Sequence, residues 1–302
     1  MTAKGALFAL LILISAVFAV RWFVALRASS TGTPGDVRPT WSHVAIGFVT
    51  NFLDMLGIGS FASTTSLFKF TRTAEDENIP GTLNVGHAFP TLAEALISIA
   101  LVTVEMRTLV TMIASSVAGA YLGAGVVARW PRRRIQIGMG VLLFAAASII
   151  AVRQLALVPG GTDIGVGGVK LAVAVGGNFV LGALMTLGIG LFAPCMILVS
   201  LLGMDPKTAF PIMMGSCAFL MPVASLRFVR SGRYDRRAAL GLALGGVPAV
   251  LIAAYIVKSL PLKAVQWLVV VVVIYTAVAM IRSALRPRAD AAVGAGAVIP
   301  PG

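Results

Sequence analysis

Charged residues are scarce in this 302-residue chain: Asp, Glu, Lys and Arg make up 12% of it and hydrophobic residues 58%, where a soluble globular protein carries about 25% charge. With a mean hydropathy of +0.96, that balance excludes a water-soluble enzyme. Acidic residues are the scarcer sign, 11 against 24 Lys and Arg, for a formal net charge of +13. The cations sit at the ends of apolar runs, which excludes a basic groove for nucleic acid and indicates basic loops on the cytoplasmic side of a membrane. Cysteine is nearly absent. Cys195 and Cys217 both lie inside apolar stretches without metal-ligand spacing, so neither a disulfide framework nor a zinc site is indicated. There is no zinc-type His pair, no paired-aspartate motif and no nucleophile with its base, which argues against an intramembrane enzyme, and no cofactor is expected.

What the chain has in abundance is apolar runs. The first, residues 5–26, passes through Arg21 and is long enough to span about 30 Å of hydrocarbon at about 1.5 Å per residue. Lys4 precedes it and Arg21, Arg27 and Arg38 follow. That order reverses a secretory leader, so residues 1–27 are expected to form an uncleaved transmembrane helix entering from outside, with a cleaved leader as the alternative. A Ser/Thr/Gly/Pro-rich loop covers residues 28–40. Further runs follow at 41–70, 82–104, 108–128, 135–152, 171–203, 208–226, 238–257 and 262–281. Residues 283–302 read as a disordered cytoplasmic tail.

Two runs, 41–70 and 171–203, are too long for one helix, and each is interrupted by Leu-Gly-Ile-Gly. Leu56-Gly57-Ile58-Gly59 followed by Phe61-Ala62 recurs as Leu187-Gly188-Ile189-Gly190 followed by Phe192-Ala193, an offset of 131 positions from 56 to 187. Pro80 matches Pro211 at that offset. Phe89-Pro90 matches Met221-Pro222 one residue out, and Gln136 after a basic turn is matched by Gln266 after Lys263. These echoes, in order, divide the chain into repeat A, 41–152, and repeat B, 171–282, with the first helix outside both.

The distribution of cations orients the repeats. With the turn Arg129, Arg132, Arg133, Arg134 fixed inside, re-entrant hairpins at the two interruptions also place Arg21, Arg27, Arg38, Lys69, Arg72, Arg227, Arg230, Arg233, Arg236, Arg237, Arg282, Arg286 and Arg288 inside, 17 of the 24. If the interrupted segments span instead, the count falls to 10. The expected fold is therefore an all-α integral membrane protein with about seven spanning helices, two glycine-broken re-entrant hairpins, and halves of opposite orientation.

Backbone leaving a helix at membrane depth strands polar groups that lipid cannot satisfy, so the two breaks mark a candidate site. In carriers built from inverted repeats, such breaks aim half-helix N-termini at anions. Here the half-helices open at Gly59, Ser60, Ser63, Thr64 and at Gly190, Cys195, the first of them rich in hydroxyls. The alternative is that Gly-Ile-Gly only permits a kink and close packing. The helix opened by Pro80 carries Asn84, His87, Thr91, Glu94 and Ser98 at spacings of 3, 4, 3 and 4, which places all five on one face. A carboxylate at a helix centre costs about 2.5–3.5 kcal/mol on insertion scales, so Glu94 and Asp54 should face the bundle interior. His87, Glu94 and Asp54 are candidate proton-coupling groups, with a plain hydrogen-bonded seam as the alternative. Ser216 and Cys217, at the depth of Cys195, complete the candidate substrate-binding set, with burial as small apolar residues the alternative for both cysteines. Ser115, Gly119, Gly123 and Gly241, Gly245, Ala249, Ala253 read as close-packing stripes. Glu75, Asp76 and Glu77 read as a solvated loop.

The stretch from Leu56-Gly-Ile-Gly-Ser-Phe-Ala-Ser-Thr-Thr to Ile79-Pro-Gly-Thr-Leu-Asn-Val-Gly-His87 resembles the TauE/SafE family of sulfite exporters. So does its partner, Gly188-Ile-Gly-Leu-Phe-Ala-Pro-Cys-Met to Phe210-Pro-Ile-Met-Met-Gly-Ser-Cys217. The likeness runs over about residues 41–282. It implies a multi-pass permease of a bacterial inner membrane for sulfite or organosulfonates, coupled to an ion gradient, and directs attention to the hairpin tips and the Asn84 and His87 region. The residues themselves support alternating access at a midplane site, with a passive anion channel as the rival. The partners expected are a small anionic substrate, a coupling ion such as H+, and the lipid bilayer, with no nucleic acid.

Overall fold

The computed structural model describes residues 3–28, 38–56, 58–155, 161–188 and 190–256, with eight helical residues between 271 and 285. Ten α-helices run through it: α1 Ala3–Ala28, α2 Trp41–Met55, α3 Ser60–Thr71, α4 Ile79–Leu101, α5 Met106–Val127, α6 Arg132–Gln154, α7 Gly168–Met185, α8 Phe192–Leu201, α9 Ala209–Ser231 and α10 Arg236–Ile256. Five of these elements, α1, α5, α7, α9 and α10, are long and apolar enough to cross a membrane. The protein is a multi-pass membrane protein. Its outward faces fit lipid: Leu13, Val20, Leu122, Val169 and Val180 are all more than half exposed, whereas Asn84, His87 and Glu94 are fully buried. In water that arrangement would leave large apolar patches uncovered.

Each long interrupted run folds as two helices that turn back on themselves. Helix α2 starts where His43 meets Gly241 near the beginning of α10, and α3 ends where Lys69 pairs with Asp76 before α4. Both outer ends of the first hairpin therefore lie at the end of the bundle that carries the α9–α10 turn, where the Asp235 N–H donates to Thr82 Oγ1. The second hairpin opens at the other end. Val166, just ahead of α7, bonds Thr108 at the start of α5, and Gly203 and Met204, just past α8, bond residues 161 and 163.

Helices α4 and α9 form the centre and run antiparallel: Gly81 abuts Phe228 and Arg233, and Gly215 abuts Ile99. Around them α2 packs along α10 and α7 along α5, while α5 lies on α9 and α10 on α4. The small-residue stripes make these approaches. A Cβ on Gly119 would sit 2.0 Å from the Phe179 carbonyl oxygen, one on Gly182 2.2 Å from that of Ser116, and one on Gly245 2.0 Å from that of Val44. Helix α1 docks at one side, its Phe18 and Trp22 rings meeting Phe89 of α4, and Lys4 Nζ donates to the Ala100 carbonyl.

Several boundaries differ from the sequence expectation. Helix α4 spans Ile79–Leu101 rather than 82–104, because Pro80 sits in its first turn, where a missing N–H costs nothing. Helix α9 continues to Ser231 and carries Arg227 and Arg230 within it, the Arg227 guanidinium stacking 3.9 Å from the centre of the Tyr121 ring. Asp76 is not solvated. It is buried, paired with Lys69 at 2.6 Å and accepting from Gln136 Nε2 at 2.7 Å, while Glu77 pairs with Arg233. Of the run at 262–281 only isolated helical residues are described, and the tail from 286 lies outside the described residues.

Valine at Gly119 or Gly182 should separate α5 from α7 and lower stability by about 1–3 kcal/mol, as overpacking does. Alanine at Gly176, which has open space around it, should be neutral. Thermal unfolding of the three variants in detergent checks this.

Candidate functional site

The first interruption is a sharp turn. Leu56 ends α2, the Ile58 N–H reaches back to the Leu53 carbonyl, and Gly59 takes φ 92° before α3 begins at Ser60. Only glycine adopts that conformation without strain. Gly188 does the same at φ 94° in the second interruption. Gly57 and Ile189 lie outside the described residues.

Gly59 has no side chain with which to cap α3, and Asp54 takes over that task from the last turn of α2. The Ser60 hydroxyl and backbone N–H face its carboxylate, a favourable placement because unpaired N–H groups give a helix start positive character. The other hydroxyls of α3 turn inward on their own helix. Ser63 donates to the Gly59 and Ser60 carbonyls, Thr65 to Phe61 and Ser66 to Ala62.

Thr64 alone in this row reaches another helix. Its hydroxyl lies 3.0 Å from His87 Nε2, and His87 Nδ1 lies 2.9 Å from Asn51 Oδ1. Asn51 Nδ2 donates to the Gly47 carbonyl, so its oxygen is left to accept. That assigns the ring proton to Nδ1 and leaves Nε2 to accept from Thr64. His87 thus ties α2, α3 and α4 together. A second bridge between helices forms elsewhere: Asn178 Nδ2 of α7 donates to the Met112 carbonyl of α5 at 2.7 Å and to Ser216 Oγ of α9 at 3.0 Å. Asn51 and Asn178 did not stand out in the sequence. Their one signal is that each is an amide within the apolar arm preceding a glycine break.

The two hairpin tips meet at one small cavity. Asp54, Gly59, Ser60 and Phe61 line it from the first tip, Met185, Gly190 and Leu191 from the second, Thr91 from α4, and Met213, Met214 and Cys217 from α9. Its volume of about 20 Å3 holds a water molecule and little more. Of the residues singled out by sequence, Asp54, Gly59, Ser60, Gly190 and Cys217 reach this cavity. Ser63, Thr64, Asn84, His87, Glu94, Cys195 and Ser216 are buried but are not among its lining residues. Asn84 Nδ2 donates to the Pro80 carbonyl, and the Cys217 thiol donates to Met185 Sδ at 3.6 Å. Glu94, one turn beyond Thr91, is fully buried with neither carboxylate oxygen bonded, and it lies within the field of Asp54.

Residues 169–301 match the family model described as Sulfite exporter TauE/SafE. Over that stretch the chain is similar to the TauE/SafE sulfite exporters. The resemblance read from the sequence holds over that stretch, which contains the motif from Gly188 to Cys217 and so contributes Met185, Gly190, Leu191, Met213, Met214 and Cys217 to the cavity. The first tip, with Asp54 and Ser60, lies outside the TauE/SafE match. No curated protein and no solved structure matches the chain.

Replacing His87 by alanine orphans Thr64 and Asn51 and should cost about 1–3 kcal/mol for each partner left buried and unpaired. Glutamine at this position, which can still bond one of them, should recover part of the loss. An unchanged melting temperature for H87A would contradict the bracing role.

Proposed function

We propose that the protein is a secondary transporter of small sulfur-containing anions, sulfite or an organosulfonate, working by alternating access between two inverted repeats in the cell inner membrane. The observation that carries this reading is the shared cavity: two glycine-broken tips, one from each half, face the same buried space at the centre of the bundle. Its small volume fits an occluded state that must open to admit a solute. The TauE/SafE match over residues 169–301 supplies the substrate class.

Inverted repeats are supported by the packing. The first hairpin opens at one end of the bundle and the second at the other. Exchanging the halves exchanges α2 on α10 for α7 on α5, and exchanges α4 for α9, which run antiparallel and have 23 residues each. A pseudo-two-fold axis in the membrane plane accounts for all three features.

In this reading Gly59, Ser60, Gly190 and Cys217 contact the anion. Ser63, Thr64, Asn84, His87, Cys195 and Ser216 form the wall behind them and set the angle of each tip. Among the described residues no Lys or Arg lines the cavity, so backbone dipoles and hydroxyls bind the anion weakly enough for release. Protons serve as the coupling ion, with Asp54 and Glu94 as the carboxylates in reach and His87 as a third titratable group in the adjoining network.

Sulfite preloaded inside proteoliposomes should accelerate uptake of labelled sulfite from outside, because a carrier returns faster when loaded. A flux that neither saturates nor responds to the trans substrate would assign a passive channel instead. Cysteines placed at Thr73 and Asp205 should label from opposite sides of the membrane, and labelling from one side would remove the inverted-repeat reading.

A further inference from the structure

A transported anion needs the very position that a carboxylate of the protein already fills. Asp54 reaches across the first interruption, faces the Ser60 N–H and hydroxyl, and lines with Ser60 the cavity shared with the second tip. A second carboxylate, Glu94, is buried one turn behind Thr91 with both oxygens unbonded. The other titratable groups turned toward Asp54 are Cys217 of α9 and, beyond it, Cys195 of α8. His87 is engaged by Thr64 and Asn51. An entering anion would therefore meet the Asp54 carboxylate, with Glu94 behind the wall, and among the described lining residues no cation.

The two tips are unequal in this respect. The offset of 131 places Met185 opposite Asp54 and Leu191 opposite Ser60, and both line the same cavity. Among the described tip residues that line the cavity, charge and hydroxyl come from the first tip, so a charge-dependent step is placed there.

We infer that Asp54 is a tethered competitor of the transported anion: its carboxylate and the anion occupy the Ser60 donors in turn, and a proton taken up by Asp54 frees them. The ledger of charge balances. The empty site carries Asp54 ionised, and the loaded site carries a neutral Asp54 carboxyl and one monovalent anion, so the net charge in the occluded cavity is unchanged. The proton adds to a carboxylate oxygen, no covalent bond to the solute forms, and one proton travels with each anion. The inference takes its ligand from the transport reading, while its conformational part concerns the tip alone.

The test uses the full chain in lipid nanodiscs with methanesulfonate, whose charge is fixed between pH 5 and 8. Wild-type affinity should rise as pH falls, by up to about tenfold per pH unit, the linkage limit for one proton per anion. D54N should bind with the same affinity across the range, and E94Q should keep the slope. A slope that survives in D54N, or that E94Q abolishes, overturns the inference. A ligand-free arm follows amide hydrogen exchange of residues 60–65, corrected for the intrinsic effect of pH. Exchange should be faster at pH 5 than at pH 8 in wild type, and equal protection at both values overturns the inference even where D54N does not fold. If the tip responds to pH and neither sulfonate nor sulfite binds, the tethered carboxylate stands and the sulfur-anion reading falls.

Discussion

Every polar backbone group that leaves a helix in this protein must find a partner inside the protein, because hydrocarbon offers none. That constraint accounts for the arrangement of the centre. The first break is closed by the Ile58 N–H reaching the Leu53 carbonyl and by the Asp54 carboxylate at the start of α3. In the second, Thr186, Leu187 and Gly188 bond carbonyls of the last turn of α7. Each arm is then braced by an asparagine, Asn51 through His87 and Asn178 through Ser216. Hydrogen bonds of this kind are directional, so they hold the two tips at a fixed angle over a cavity no larger than a water or so.

Packing between helices follows a second constraint. Lipid is as apolar as leucine, and helices associate in it by close approach and not by hydrophobic burial. Glycines at 119, 182 and 245 bring backbone against backbone. The interior can then be unusually polar, with the seam of Asn84, His87, Thr91, Glu94 and Ser98 turned entirely away from lipid. The cost of a buried, unbonded Glu94 is tolerated at the centre of the most enclosed helix pair, α4 and α9.

The elements were legible in the sequence to the degree that they answer to local rules. Bilayer thickness sets the length of apolar runs, so the described helices fall within a few residues of their expected limits. Leu-Gly-Ile-Gly marked both breaks, and the 3,4 spacing marked the buried face of α4. The errors arose where a partner came from elsewhere in the chain. Asp76 read as solvated because its partners, Lys69 and Gln136, are brought to it only by the turns of α3 and α6. The hydroxyls of Ser63, Thr65 and Ser66 are each offered a carbonyl of their own helix one turn back.

By itself, the sequence determined that this chain is a multi-pass helical membrane protein with two broken segments, since composition, run length and glycine placement act through lipid and backbone alone. Only the tertiary structure decided what those breaks face. The meeting of the tips, the capping of α3 by Asp54 and the bracing of His87 by Asn51 and Thr64 depend on distances between helices, and such distances follow from packing, which no local pattern encodes.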